Sequence, residues 1–517
     1  MHVSAELRGR RLATALLLVA LVPASIGTAV AAYAAAGVTP GPPSYDPRPL
    51  PILDLDQAYQ SRELDRSRRA SSRAASLSGP TLLPAVFPDP LPTLVLAARE
   101  QPYTLAELAQ LTPEAFEAQP DGGLLVKASV DVPTGSTLLV DSAQTPRVLL
   151  TSSPSGIAAV IARGGAIDLR GSATEQLRIT SWDPATSAAD SEPGDGRAFI
   201  LTEGGRMDIQ HADLGHLGFA TGASSGVAWR GDVPSDGAEP VKATGTVTNS
   251  VFHDNWYGAY TFEAEGMRFA DSVFANNAAY GFDPHDLSNN FVVERNVAFG
   301  NGRHGFIFSR GCDGNVLRDN VSFDNRGHGF MIDDGRTEDA DYAAAAVLTS
   351  DDNVLERNHA YDNDGSGIEI EGGSGNVVRD NLLERNHVGV RVKDDAVAEV
   401  VDNTITDSRL FGVHVFEDSA GSAVRDNTIT GGWGGIGTSS AAEVQMAGNE
   451  IDDAYATTVV DGDIRRGPFT VASLGHLLQF NPMLLLWTAI LGVPLLGALW
   501  LRLSAVVRRP SGSPVST

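Results

Sequence analysis

Apolar and polar residues alternate in short runs through most of the second half of the chain. The runs "GFIFSR", "GFMIDD", "GIEIEG", "GVRVKD" and "GVHVFE" each place every second side chain on the same side of the backbone. A period of two over four to six residues is typical of a strand that has one face in the core. The pattern therefore predicts many short strands separated by turns.

These strands recur at a fixed spacing. Glycines followed by an apolar residue, from Gly258 to Gly435, are separated by 23, 24, 24, 38, 22, 23 and 23 residues. Asparagine is a second marker with the same period, at Asn296, Asn320, Asn358, Asn381, Asn403, Asn427 and Asn449. A period near 23 with frequent turns is typical of one coil of a parallel β-helix, and the fixed leucine spacing of leucine-rich repeats is missing. We predict an all-β, right-handed parallel β-helix over residues 124–465, with the asparagines hydrogen-bonded in a ladder along its axis.

Alignment of the runs separates inward from outward columns of side chains. The columns that contain Phe282 and Pro284 are apolar in the repeats and are predicted to face the core. The alternate columns are predicted to face solvent, and they read Tyr260, Asp283, Ile307, Met331, Glu369, Arg391, His414 and Phe262, His285, Ser309, Asp333, Glu371, Lys393, Phe416. A stripe of aromatic and charged side chains suits a long polymer in a groove, because the coil rise of about 4.8 Å is comparable to one sugar unit.

Two steps of the repeat are longer than the others. About 15 extra residues fall between Met331 and Asn353, and about 17 fall between Gly218 and Gly258. In a solenoid such excess leaves as a loop, often on the binding face. We therefore expect these insertions to form walls or lids of a groove.

The two ends of the chain contain uncharged hydrophobic segments. Residues 1–36 have the layout of a signal peptide or an uncleaved signal anchor. Residues 480–502 are predicted to form a transmembrane helix, because a buried core helix of a soluble domain would show a polar face, and residues 503–517 would then be a cytoplasmic tail. Residues 37–123 are rich in Pro, Ala and Ser and are predicted to be a linker and cap. These assignments predict a single-pass or two-pass protein of the cell membrane whose β-helix is extracytoplasmic.

Composition and charge exclude several classes of function. The net charge of −26 argues against nucleic-acid binding. Cys312 is the only cysteine, so the chain forms no intrachain disulfide and no cysteine-based metal site. Hydrophobic residues at 42% and charged residues at 20% are near the globular average, which argues against disorder.

The stretch "GFDPHD" departs from the repeat, because Pro284 takes the place of an ordinary strand residue. Asp283 and His285 share the outward face, and Arg310 aligns with Asp286 one coil away. A histidine beside aspartates in a turn is often only solvated. The break in the repeat favours a functional site instead.

The string "YGFDPHD", from Tyr280 to Asp286, resembles the mannuronan (alginate) C5-epimerases, which are built on a right-handed β-helix. The upstream "WYGAYTFEAEG" and the downstream "RHGFIFSR" ending at Arg310 extend the resemblance over residues 251–325. It implies removal of a proton α to a carboxylate, with His285 as the base and Arg310 as the cation that neutralises the carboxylate. It also implies that Tyr280 or water returns a proton, that Asp283 orients the imidazole or the sugar, and that Asp286 holds Arg310 or the imidazole.

The resemblance also implies a class of substrate for the protein. The substrate would be an anionic uronic-acid polysaccharide, bound by Tyr260, Phe262, Asp286, Ser309 and Asp333. No cofactor or essential metal is expected, although Asp333 and Glu371 are candidates for weak Ca²⁺ binding. Polysaccharide export machinery is a possible partner. Two alternatives stay open: a polysaccharide lyase acting on a similar polymer, and a non-catalytic β-helix that binds or scaffolds an exported polysaccharide.

Overall fold

The computed structural model describes residues 54–85, 91–120, 122–154, 156–220, 222–234, 238–335, 348–416, 418–439 and 444–465. The predicted signal segment at 1–36, the predicted transmembrane helix at 480–502 and the tail at 503–517 lie outside these ranges. No helix in the described ranges has the length and apolar character needed to cross a membrane.

The described strands form three sheets. The first sheet has 16 strands, in the order Thr81–Leu83, Thr93–Val95, Ser129–Pro133, Val160–Arg163, Ile200–Glu203, Val227–Arg230, Ala259–Phe262, Phe282–His285, Phe306–Ser309, Phe330–Asp333, Ser366–Glu371, Val388–Lys393, Phe411–Val415, Gly434–Thr438, Ala456–Val460 and Asp463–Arg465. The second has 13, in the order Tyr103–Thr104, Thr137–Asp141, Ala166–Arg170, Arg206–Gln210, Thr246–Thr248, Arg268–Ala270, Val292–Glu294, Val316–Arg318, Val354–Glu356, Ser374–Arg379, Val397–Val401, Ala423–Arg425 and Gln445–Ala447.

The third sheet follows the order Phe116–Ala118, Leu124–Val126, Arg147–Ser153, Leu177–Asp183, Ala212–Gly215, Val251–His253, Val273–Ala275, Val297–Phe299, Val321–Phe323, His359–Tyr361, Leu382–Glu384, Thr404–Thr406, Thr428–Thr430 and Glu450–Asp452, with Gly156–Ile157 and Ala188–Ala189 paired beside it. The described α-helices are Asp54–Ser71 and Leu105–Leu111, and short 3₁₀ turns occur at Ala74–Ser76, Pro113–Ala115, Pro193–Asp195 and Gly222–Ser224. Consecutive coils pair in parallel, and this confirms the predicted parallel β-helix.

The predicted inward columns form the core of the helix. Phe282, Phe306 and Phe330 are fully buried, and the rings of Phe306 and Phe330 stack with centroids 5.0 Å apart. Their strands are in the register that the repeat predicts. Stacking like residues on like residues gives each coil the same cross-section, so the core continues without a break along the axis.

The outward columns are in the predicted register, but the prediction that they face solvent is wrong for several members. Asp283 pairs with Tyr260 of the preceding coil, and both side chains are buried. Ile307, Met331 and Glu369 are buried as well. Neighbouring coils lie so close that adjacent outward side chains cover one another, and this shielding determines the electrostatics of the site.

The glycine marker reflects contact between backbones. A Cβ at Gly281 would lie 2.5 Å from the carbonyl oxygen of Gly305 in the next coil, which is closer than real Cβ atoms approach. The same close approach to the next glycine in the series occurs at Gly258, Gly305, Gly329, Gly367, Gly389 and Gly412. The period of the glycines is therefore the period of the coil itself.

The asparagine ladder predicted at the turn between the second and third sheets is confirmed. The side-chain oxygen of Asn358 accepts hydrogen bonds from the backbone N–H and the side-chain amide of Asn320, both at 3.0 Å. Its own amide donates to Leu317 O at 2.9 Å. A second ladder, which the sequence analysis did not identify, links Asn277, Asn301, Asn325, Asn363 and Asn386 before the first-sheet strands.

Residues 54–85 and 91–120, within the predicted linker and cap, form regular secondary structure. The helix Asp54–Ser71 packs on first-sheet strands, where Ser67 donates to buried Asp131 at 2.7 Å and Gln60 donates to Ser224 at 2.8 Å. The strands Thr93–Val95 and Tyr103–Thr104 already pair with the solenoid. Composition misses this helix because much of its attachment uses polar side chains instead of an apolar stripe.

Antiparallel strands close both described ends of the first sheet. Thr81–Leu83 pairs antiparallel with Thr93–Val95 at the N-terminal end. Asp463–Arg465 pairs antiparallel with Ala456–Val460 at the C-terminal end. The two long insertions both leave from the C-terminal end of a first-sheet strand, after Val227–Arg230 and after Phe330–Asp333, and residues 336–347 of the second lie outside the described ranges.

Candidate active site

The motif that departs from the repeat lies on the outer face of the first sheet. The strand Phe282–His285 pairs His285 with Phe262 on one side and with Ser309 on the other. Asp286 follows with a positive φ of 32°, at the point where the chain turns out of the strand. The turn brings the carboxylate of Asp286 back toward the imidazole that precedes it.

Asp286 joins the two residues predicted to act on the substrate. Its Oδ1 lies 3.3 Å from Nδ1 of His285 and 3.3 Å from Nε of Arg310 in the next coil. The Arg310 side chain runs over Gly335, where an added Cβ would collide with it. The structure thus brings His285 and Arg310 together around one carboxylate, as the sequence alignment of Asp286 with Arg310 implies.

The electrostatics around His285 favour a charged imidazole. Burial works against the charge, but the Asp286 contact and the carboxylates of Asp283 and Asp286 outweigh it and raise the pKa of His285. The side chain keeps 31% of its exposure, so its ring is accessible from the groove. A histidine that is open to solvent and held beside carboxylates is suited to proton transfer.

Asp283 lies beneath this surface and is only 1% exposed. Burial raises its pKa to about 7, with the charge of Asp333 adding to the effect and that of His285 opposing it. Its Oδ1 has no hydrogen-bond partner among the residues that the structure describes. An unpartnered buried carboxyl oxygen is costly, and a buried titratable group of this kind is typical of a functional site.

Tyr280 lies near Asp283, whose charge acts on its hydroxyl. Arg303 donates from Nη1 to the Tyr280 hydroxyl at 2.9 Å. Burial raises the pKa of Tyr280, and Arg303 acts in the opposite direction because it stabilises a phenolate. The sequence pattern does not place Arg303 in the site, because no repeat position pairs it with Tyr280 and only the fold shows this contact.

Aromatic rings form the N-terminal wall of the site. The ring centroid of Tyr257 lies 5.0 Å from that of Tyr280 and 6.2 Å from that of Tyr260. The ring centroids of Tyr260 and His285 are 6.1 Å apart. Phe262 is half-buried, with the guanidinium carbon of Arg230 4.8 Å from its ring centroid. The predicted binding residues Tyr260 and Phe262 therefore lie beside His285, while Tyr257 was not predicted.

Polar pairs continue the site toward the C-terminal coils. Ser309 donates to Oδ2 of Asp333 at 2.8 Å, so these two predicted binding residues contact each other. Two coils from Ser309, Glu371 contacts Lys393 at 2.7 Å. Burial raises the pKa of Glu371 to about 8, against the effect of Lys393. The expectation of weak Ca²⁺ binding at Asp333 and Glu371 stays a prediction.

Comparison with known proteins agrees with the fold and with the resemblance. The family model for the right handed beta helix region matches residues 235–342 and 344–463. A mannuronan C5-epimerase of Pseudomonas fluorescens is 31% identical over 140 residues, which are 26% of this chain and 26% of that protein. The mannuronan C5-epimerase AlgG of Azotobacter vinelandii is 30% identical over 139 residues, again 26% of each chain.

A solved structure supports the same architecture. The crystal structure of the periplasmic alginate epimerase AlgG superposes with a TM-score of 0.59 at 21% identity, covering 70% of this chain and 85% of that one. The chain spans about a quarter of the length of the curated relatives it matches. The predicted right-handed β-helix fold and the predicted resemblance to mannuronan C5-epimerases are thus both confirmed.

Proposed function

We propose that this protein is an extracytoplasmic C5-epimerase that acts on a uronic-acid polysaccharide similar to polymannuronate. The observation that carries the proposal is the contact of Asp286 with both His285 and Arg310, next to Asp283 on one groove. Kinship with mannuronan C5-epimerases supports the reaction class. The groove offers a base, a cation and a second proton donor within two adjacent coils.

The first half of the reaction uses His285 and Arg310. The C5–H bond breaks, its proton passes to the imidazole nitrogen that does not contact Asp286, and its electron pair delocalises into the sugar carboxylate. A carboxylate acidifies its neighbouring carbon poorly while it is charged. The guanidinium of Arg310 offsets that charge and stabilises the enolate-like state.

The second half returns a proton to the opposite face of C5. Tyr280 is the proposed donor, and its hydroxyl proton becomes the new C5 hydrogen, with inversion. The phenolate that remains is stabilised by Arg303, whose Nη1 lies 2.9 Å from the hydroxyl oxygen. One proton leaves the sugar and one enters it, so the reaction requires no cofactor.

The protonation state of Asp283 reduces the charge repulsion between an acidic protein and an anionic substrate. Because burial raises its pKa to about 7, Asp283 carries a proton over much of the neutral range and does not repel a sugar carboxylate. Its Oδ1 has no hydrogen-bond partner in the described residues, and it reaches the sugar only when the side chains that cover it move aside. We assign Asp283 to orienting the substrate, and Asp286 to holding Arg310 and the imidazole.

The cellular setting belongs to the same proposal. The predicted signal segment at 1–36 and the predicted transmembrane helix at 480–502 would hold the β-helix outside the cytoplasm, beside export machinery for the polymer. The structural neighbour AlgG is described as a periplasmic alginate epimerase, and this supports an extracytoplasmic location.

Incubation with polymannuronate in deuterated water tests the reaction. We expect deuterium at C5 and guluronate signals in the NMR spectrum, because the Tyr280 hydroxyl that supplies the new C5 hydrogen carries deuterium in this solvent. His285→Gln should lower deuterium incorporation by at least about 100-fold, as expected for loss of a general base. His211→Gln, a histidine outside the groove, serves as the control.

Other outcomes would identify the alternatives. Unsaturated ends that absorb ultraviolet light, without guluronate, would establish a lyase. Binding of polymannuronate without deuterium incorporation or chain cleavage would establish a non-catalytic binding protein. Full activity of a folded His285→Gln variant would reject the assigned base.

A further inference from the structure

A second cluster of ionisable side chains lies away from the candidate active site, at the C-terminal ends of two neighbouring strands of the third sheet, Ala212–Gly215 and Val251–His253. His253 is the last residue of the strand Val251–His253, and its Nε2 lies 2.8 Å from Oδ1 of Asp213 in the preceding coil. Its Nδ1 lies 2.8 Å from Oδ2 of Asp254. His216 stands edge-on to His253, with ring centroids 5.8 Å apart. The proposed epimerisation uses none of these four residues.

The backbone is shaped to hold this cluster. Gly215 pairs with His253 across adjacent coils, and a Cβ at Gly215 would lie 2.5 Å from Cε1 of the imidazole. His216 and Asp254 follow their strands with φ of 59° and 53°, so both occupy the same left-handed turn position one coil apart. The absence of a side chain at Gly215 makes room for the His253 ring, and the matching turns bring His216 and Asp254 beside that ring.

The donor set matches a transition metal. One nitrogen each of His216 and His253 and one oxygen of Asp254 all lie within 4.8 Å of one another. A tetrahedral Zn²⁺ ion with bonds of about 2.1 Å holds its ligand atoms about 3.4 Å apart. The more distant atoms would therefore close in by up to about 1.4 Å, and Nδ1 of His253 and Oδ2 of Asp254, which are 2.8 Å apart, would separate slightly. Imidazole ligands select for zinc and its neighbours over Ca²⁺ or Mg²⁺, which prefer oxygen.

Asp213 completes the arrangement from the second side of His253. A histidine that binds a metal usually donates its other ring N–H to a carboxylate, which fixes the tautomer and orients the ring. We propose that His216, His253 and Asp254 form a binding site for Zn²⁺ or a similar divalent transition metal, with Asp213 orienting His253. Metal would replace the hydrogen that His253 shares with Asp254.

The nearest cations do not occupy the proposed site. Arg197 donates from Nη1 to the backbone oxygen of Asp254 at 3.0 Å and from Nε to that of Gly218 at 2.7 Å, so it contacts main-chain oxygens of these turns. Nε of Arg178 lies 3.9 Å from the outer oxygen of Asp213. The side chains of His253, Asp213 and Asp254 are largely but not completely buried, which leaves a path for an ion.

The position of the cluster gives the metal a structural consequence. Asp254 begins the turn that leads through Trp256 to Tyr257, and Tyr257 contacts Tyr280 in the aromatic wall. A metal at Asp254 would fix the start of this turn. The proposed role is therefore to stiffen the wall of the groove, without a part in proton transfer.

The test uses the full chain after removal of metals with a chelator. Calorimetric titration with Zn²⁺ should show one tight site per chain, and Zn²⁺ should raise the melting temperature. Co²⁺ in its place should give the intense visible absorption of a low-symmetry site with nitrogen ligands. His216→Ala should weaken Zn²⁺ binding by at least about tenfold, and Asp213→Asn should weaken it by about 10-fold to 100-fold.

His211→Ala provides the matched control, since His211 also has a left-handed φ, of 48°, but lies outside the cluster. It should bind Zn²⁺ as the parent protein does. Equal Zn²⁺ affinity of the parent and the folded His216→Ala variant would show only diffuse binding to surface carboxylates and would overturn the proposal. Because binding and melting are measured without substrate, this result is independent of the proposed epimerase activity.

Discussion

At the scale of single residues, Asp286 has the largest effect on the candidate site, because it contacts both the proposed base and the proposed cation. His285 has a raised pKa, and Asp286 contributes to raising it through its contact and its charge. A general base acts only when it is neutral. Activity should therefore rise with pH through a value above the ordinary 6.5 of histidine.

Asp286→Asn should move this acidic limb of the pH profile to lower pH, since loss of the negative charge lowers the pKa of His285. We also expect at least about a tenfold lower kcat/KM at the optimum, because Arg310 loses its anchor. The measurement is deuterium incorporation as a function of pH. Asp271→Asn, which removes a carboxylate 2.8 Å from Arg295 on another face, is the control, and an unshifted limb in Asp286→Asn would contradict the assignment.

The sequence predicts the residues of the site better than their environments. The motif "YGFDPHD" and the alignment of Arg310 with Asp286 identify side chains that the fold does bring together. Periodicity assigns Asp283 to an outward column, but it does not report that neighbouring coils bury this residue to 1% exposure. The contact between Arg303 and Tyr280 was also missed, because it joins turns and not strands.

At the scale of elements, the asparagine ladder is the feature on which coil stability depends most directly. Asn358→Ala should destabilise the protein by about 2–4 kcal/mol, because it leaves buried donors of Asn320 and an acceptor at Leu317 without partners. Asn449→Ala, at the partly exposed end of the same ladder, should cost less, about 1 kcal/mol. Denaturant unfolding measures both, and equal losses would argue against burial as the cause.

The repeating strands were predictable, and the helix Asp54–Ser71, which occurs once, was not. When a strand sequence repeats, alignment of the copies identifies the positions that face the core, such as Phe306 and Phe330. The helix Asp54–Ser71 occurs once, and its contacts include the polar pair of Ser67 with Asp131. Such an element has neither a period nor a clear apolar stripe, so composition alone suggests a linker.

At the scale of the whole molecule, the outer face of the first sheet differs on the two sides of the site. On the N-terminal side, Leu64 of the helix packs with outward residues such as Ile161, Leu201 and Ala228, and this cluster covers the sheet. On the C-terminal side, Arg391 and Lys393 remain partly exposed. A polymer bound at His285 would therefore extend toward the C-terminal coils.

Arg391 lies four coils beyond His285, about 19 Å along the axis. Arg391→Ala should raise KM about fivefold for polymannuronate long enough to span that distance, an effect of about 1 kcal/mol. Oligomers too short to reach it should be unaffected. Arg385→Ala, outside this face, is the control. An Arg391→Ala variant whose KM rises equally for short and long substrates would show that the polymer follows another path.

The antiparallel strands at both described ends of the first sheet have a consequence for self-association. A stack of parallel strands exposes at each terminus a template onto which the terminus of another molecule could add in register, and repetition would build a fibril. A final strand that runs in reverse does not offer that template. At the described ends of the first sheet, the reversed strands therefore disfavour the in-register parallel addition of another molecule.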